Sequence, residues 1–193
     1  MSSLADREIG SADGPLAEFA ALRDEIQDRV KAQQQMLSLQ LTFTGAIFGF
    51  ALTRPGMTAL LLIVPFGSYL LCGRLVAQHF GTLRVAEYIK EELSDRVRGG
   101  LGWERWLEER QRRRPHFLGS TLPLLITFTG AGVLALGWTA GYVFGRHDVS
   151  APACLGLGAF WLLGVAAAVA CTVLVLQMAN RLPVRGWAQT GLS

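Results

Sequence analysis

Three imidazoles, three thiols and one run of arginines are the side chains of this chain with the clearest capacity for chemistry. His79, His116 and His147 are isolated from one another in sequence, and no H-E-x-x-H, G-x-S-x-G or phosphate-loop pattern surrounds any of them. An acid–base site would need His79 and His116 to converge on Glu87, and histidines at a membrane interface are far more often structural. Cys72, Cys154 and Cys171 form no C-x-x-C pair, so neither a disulfide framework nor a zinc site is expected. They read instead as small membrane-facing residues. The sequence therefore argues against an enzyme, and no cofactor or metal is expected.

The arginines are Arg110, Arg112, Arg113 and Arg114, in "LGWERWLEERQRRRP". Trp103, Trp106 and Leu107 fall on one helical face ahead of them. Tryptophan beside arginine suits a headgroup layer, where the ring is half solvated and the guanidinium meets lipid phosphate. Arg74 also lies at an inner interface, at the end of an apolar block from which its long stem can reach water. The same basic cluster would bind an acidic protein, although juxtamembrane arginines commonly do no more than set topology.

The elements that must position these residues are membrane helices. Hydrophobic residues make up 51% of the 193-residue chain and charged residues only 17%, an excess of apolar character over a soluble domain. Four blocks lack acidic side chains altogether: Met36 to Thr53, Met57 to Val76, Phe117 to Gly145 and Ala153 to Met178. A helix needs about 20 apolar residues to cross a hydrocarbon core of roughly 30 Å, so each block qualifies, the first narrowly. The expected fold is all-α, an integral membrane protein with four transmembrane helices as two hairpins and amphipathic cytoplasmic helices. Its parts are a disordered N-terminus (1–14), an amphipathic helix (15–35), a membrane hairpin (36–76), a cytoplasmic or interfacial helical segment (77–116), a second hairpin (117–178) and a tail (179–193).

Seven acids precede the first block, so no cleaved signal peptide is expected. Lysines and arginines gather before the first block, between the second and third, and after the fourth, whereas the two remaining turns hold only Arg54 and Arg146. The positive-inside bias then places both termini and the middle segment in the cytoplasm. The charge distribution favours anionic lipid at the inner face over nucleic acid.

Asp13-Gly14-Pro15 reads as a helix start, followed by an apolar stripe at Phe19, Leu22, Ile26 and Val30. This helix can lie on the bilayer, pair with the middle segment or zip to another copy, and its acids favour a protein partner. Pro65 and Gly67 predict a kink in the second span. A further stripe at Phe80, Leu83, Ala86, Ile89, Leu93 and Val97 continues beyond that span, with Glu87, Lys90, Glu91 and Arg96 facing water.

The pentapeptide TFTGA occurs twice, at Thr42 to Ala46 and at Thr127 to Ala131. Both copies sit early in spans that run in the same direction, as a parallel repeat or as coincidence in a limited membrane alphabet. Gly45 and Gly49 form a G-x-x-x-G step, Gly137, Gly141 and Gly145 a longer one, and Gly164 with Ala168 a weaker equivalent. Small residues four apart let backbones approach closely, which is how helices associate in lipid. Packing inside one four-helix bundle is the first expectation for these faces and a homo-oligomer the second. The threonines of the repeat can bond within their own helix or across to a neighbour.

The segment "QQQMLSLQLTFTGAIFGFAL", with "LRVAEYIKEELSDRV" and "GLGWERWL" after the second span, resembles uncharacterised multi-pass membrane proteins of actinomycete-type bacteria. The resemblance covers about Val30 to Leu107 and is carried by Tyr88, Ile89, Glu92, Leu93, Gly100, Leu101, Gly102, Trp103 and Glu104. It implies a polar helix before a membrane hairpin and a bacterial cytoplasmic membrane, and no activity.

Two functions remain. One is a helical interaction or scaffold module whose cytoplasmic helices bind a protein partner. The other is an oligomerising, membrane-perturbing effector of a bacterial signalling or antiphage system, a layout-level analogy. No Asp, Glu, Lys or His lies well inside a span, which disfavours ion-driven transport and leaves passage of an uncharged solute as a lesser alternative.

Overall fold

The computed structural model describes residues 2–97, 119, 121–144 and 151–180. Helix α1 runs from Ser2 to Thr53 without interruption. A 3-10 stretch, Pro55–Ile63, leads into α2, Val64–Tyr88, which continues through a π turn, Ile89–Leu93, and a 3-10 turn, Ser94–Arg96. The third span begins as a single α turn, Leu122–Leu124, widens into a π-helical stretch, Leu125–Gly130, and becomes α3, Ala131–Phe144. Helix α4 is Ala151–Asn180. The described residues are all-α, and four of their helices are long and apolar enough to cross a membrane.

Three local expectations change. The first helix begins at Ser2, not near Asp13, and carries Pro15 within it. The residues ahead of it, Leu4 to Glu8, are mostly good helix formers, and proline's fixed φ is itself helical. The amphipathic helix and the first span, expected as separate parts meeting at residue 35, form one continuous helix, because Lys31 to Met36 contains neither Gly nor Pro. At Pro65 the pitch changes from 3-10 to α one residue earlier, at Val64, whose N–H bonds to the Leu61 carbonyl. Proline then occupies the first turn of α2, where its missing donor costs little.

The chain divides into two compact units. The first combines residues 1–33 with 77–114. Here Phe19, Leu22, Ile26, Arg29 and Gln33 form the partly buried stripe of α1, and Val30 is exposed. The 3.6-residue period selects position 29 over the expected Val30. Arg29 pairs with Glu25, donates to Gln78 Oε1 at 3.3 Å, and lies directly over Gly81. Tyr88 donates to Glu18 at 2.7 Å. The polar N-terminal helix thus pairs with the extension of α2, and there Ile89 and Leu93 are buried while Glu87, Lys90, Glu91 and Arg96 are exposed as the pattern predicts.

The second unit combines residues 34–76 with 115–193. Helix α3 packs on α4 and on the 3-10 stretch, while α1 meets these elements mainly through side chains. One core cluster joins Ala51, Leu61, Val64 and Ala135, flanked by Ile47 and Phe48; another joins Leu62, Leu136 and Ala168, flanked by Trp161 and Val165. Phe66 and Phe160 stack with ring centroids 4.8 Å apart.

Candidate functional site

Within this apolar unit one polar side chain is completely buried at the meeting of three spans. Gln40 continues the inward stripe of α1, four residues beyond Met36, and has no exposed surface. Its Nε2 donates to Ser68 Oγ on α2 at 2.6 Å and to Thr44 Oγ1, one turn along its own helix, at 3.1 Å. The Thr127 carbonyl oxygen of the third span lies 3.4 Å from the same nitrogen. Gln40 Oε1 is buried and has no hydrogen-bond partner.

Thr127 belongs to the π-helical stretch, whose turn is wider than that of an α-helix. The two TFTGA copies therefore differ in conformation: the first is α-helical throughout, and the second is π-helical up to Gly130. Both put their second threonine to polar use. Thr44 accepts from Gln40, and Thr129 accepts from Thr172 of α4 at 3.2 Å.

Ser68 and Cys72 are one turn apart on α2, and Cys72 leads to α4. The Cys72 thiol is wholly buried, with its sulfur 3.9 Å from the Cys171 carbonyl oxygen, and Cys171 is also buried. Both are free thiols. The expectation that these cysteines face lipid is corrected: small side chains occupy the crossing of α2 and α4, where larger ones would hold the helices apart. Trp161 adds a further link by donating from its indole nitrogen to the Leu136 carbonyl at 3.1 Å.

The glycine steps behave differently from one another. Gly45, Gly49, Gly137 and Gly141 are exposed, and a Cβ added to any of them would meet no described residue within 4 Å. Among the described residues, none packs closely on these four positions, where packing inside the bundle was the first expectation. Close approach occurs instead at the step judged weaker, since a Cβ on Gly164 would lie 3.0 Å from Leu136 Cδ2 and 3.6 Å from Pro65 Cγ, and Ala168 is buried beside it. Gly67 is tighter still, because the Phe43 ring of α1 fills the space its side chain would need.

Arg74 is exposed on α2. Gly145, Trp103, Trp106, Arg110, Arg112, Arg113 and Arg114 lie outside the described residues, as do His116 and His147. His79 has a buried Nε2 and an edge contact with Phe80 at 5.9 Å. Among the described residues no group of three or more His, Cys, Asp or Glu side chains could hold a metal ion.

Gln40 is the functional candidate that a search for ionisable groups passes over, since an amide carries no charge. Its signal was positional: it continues the same helical face as Ile26, Arg29, Gln33 and Met36 into an otherwise apolar span. No family model, curated protein or solved structure matches this chain.

Proposed function

We propose that the chain is a non-enzymatic helical interaction module of a bacterial cytoplasmic membrane, with both termini in the cytoplasm, that assembles with copies of itself through the glycine faces of α1 and α3. The observation that carries this reading is the openness of Gly45, Gly49, Gly137 and Gly141, where an added Cβ would meet no described residue within 4 Å. In lipid such faces gain from close contact with another helix through van der Waals packing, because the hydrocarbon chains around them pack less completely. The lipid-interface role assigned to Trp103, Trp106 and the arginine run complements it at the inner leaflet.

The cytoplasmic unit supplies the surface for a protein partner. With Arg29 and Glu18 engaged against the extension of α2, the opposite face of α1 presents Arg23, Asp24, Gln27, Asp28 and Lys31 to solvent. Mixed charge of this kind suits a polar partner better than an anionic bilayer surface.

The reading is tested by cross-linking the full chain in bacterial membranes while recording membrane potential. An oligomer with the potential intact supports an interaction module. An oligomer that depolarises the membrane moves the assignment to a membrane-perturbing effector, and a protomer that never cross-links overturns self-assembly.

A further inference from the structure

The crossing of α2 and α4 brings together two of the chain's three cysteines. Cys72 and Cys171 stand 99 positions apart in sequence, and the Cys72 sulfur lies 3.9 Å from the Cys171 carbonyl oxygen. Their thiols are within side-chain hydrogen-bonding reach of each other. Both are reduced and buried, with 0% and 1% of their surface exposed. Small buried neighbours one turn away, Ser68 on α2 and Ala167 and Ala168 on α4, let the helices approach this closely. Alanine satisfies packing at such a crossing; a facing pair of thiols adds a chemistry of its own.

We infer that Cys72 and Cys171 form a peroxide-sensitive dithiol that closes into a disulfide and locks α2 to α4. A disulfide closes without backbone movement only between residues held near each other. In the first step hydrogen peroxide oxidises one thiol to a sulfenic acid; the O–O bond breaks and one water leaves. The sulfur of the second thiol then displaces the sulfenic hydroxyl and forms the S–S bond, while its proton departs with that hydroxyl as a second water. Two thiols and one peroxide give one disulfide and two waters. An oxidant of this size suits the enclosure, since neither sulfur presents a surface to a larger one. The depth is also shallow. On the orientation proposed above, Cys72 and Cys171 lie four and seven residues before the cytoplasmic ends of their apolar blocks at Val76 and Met178, about 6 and 10 Å along the helix axis. The bond closes a loop that contains the whole third span, so the first hairpin is tied to the second, and long loops gain most from such closure.

The test treats the full chain carrying Cys154→Ser, in lipid nanodiscs, with hydrogen peroxide, and then counts the thiols that react with a maleimide after denaturation. The count is expected to fall from two to none, with mass spectrometry joining the Cys72 and Cys171 peptides within one chain. The thermal unfolding midpoint is expected to rise at the same time and to return on adding dithiothreitol. Cys72→Ser and Cys171→Ser, each in the same background, should show no reversible rise, and the thiol count stands as a test even if neither variant folds. Two thiols that stay free in the folded chain overturn the inference. So do sulfinic or sulfonic acids formed without a disulfide, and disulfides found solely between protomers. A disulfide that leaves the midpoint unmoved overturns the lock.

Discussion

Gln40 and Ser68 are separated by 28 positions in sequence, and their side chains meet at 2.6 Å in the interior of the membrane unit. That contact ties α1 to α2 where the two helices otherwise share few close backbone approaches. A hydrogen bond between helices in lipid is worth about 0.6–2 kcal/mol. Gln40→Leu and Ser68→Ala are each expected to destabilise the protein by about 1 kcal/mol. A double-mutant cycle in choline chloride, followed by reversible unfolding in mixed micelles, should return a coupling energy of similar size, and strictly additive losses would remove the bond from the account.

Phe43 and Gly67 give a steric counterpart to that polar contact. A methyl group on Gly67 would collide with the Phe43 ring, so Gly67→Ala is expected to cost about 1–3 kcal/mol, the usual range for overpacking. Truncating the ring makes room. The double variant Gly67→Ala with Phe43→Ala should lose less than the sum of the two single changes, as measured by the same unfolding equilibrium.

Much of this arrangement is visible in the order of residues, and the exceptions have physical causes. The four spans and the stripe ending at Ile89 and Leu93 follow from hydropathy and helical period, which the bilayer enforces because each backbone polar group must be satisfied within the span. Replacement of Val30 by Arg29 on the inward stripe is a matter of phase: a one-residue step turns the helix by about 100°. The two copies of TFTGA expose the limit of local reading. Identical pentapeptides take α geometry in one place and π geometry in the other, and their second threonines meet different partners, Gln40 for Thr44 and Thr172 for Thr129. The glycine faces were legible as faces, but which helix covers each one depends on the relative rotation of whole spans, and no short motif encodes that.

Orientation is open to a direct check. Cysteines introduced singly at Gly56 and Asp148, in a background lacking the native cysteines, are expected to react with a membrane-impermeant maleimide added outside intact cells. A cysteine at Lys90 should react only after the membrane is opened. Labelling of Gly56→Cys and Asp148→Cys from the cytoplasmic side alone would reverse the proposed topology.

The unit of residues 1–33 and 77–114 should respond weakly to loss of the bond from Tyr88 to Glu18. Tyr88 and Glu18 are both exposed, so Tyr88→Phe is expected to leave the unfolding midpoint almost unchanged. It should increase hydrogen exchange across residues 16–22 without changing exchange in α4. Unchanged exchange near Glu18 would show that the apolar stripe alone holds the two segments together.

Subunit counting by single-molecule photobleaching in a lipid bilayer tests self-assembly through the glycine faces most directly. The wild-type chain is expected to bleach in two or more steps, while Gly45→Leu combined with Gly141→Leu should bleach in one step and remain folded, because a Cβ at either position meets no described residue of the protomer within 4 Å. Single-step bleaching of the wild type, or multi-step bleaching that persists in the double variant, would contradict the account.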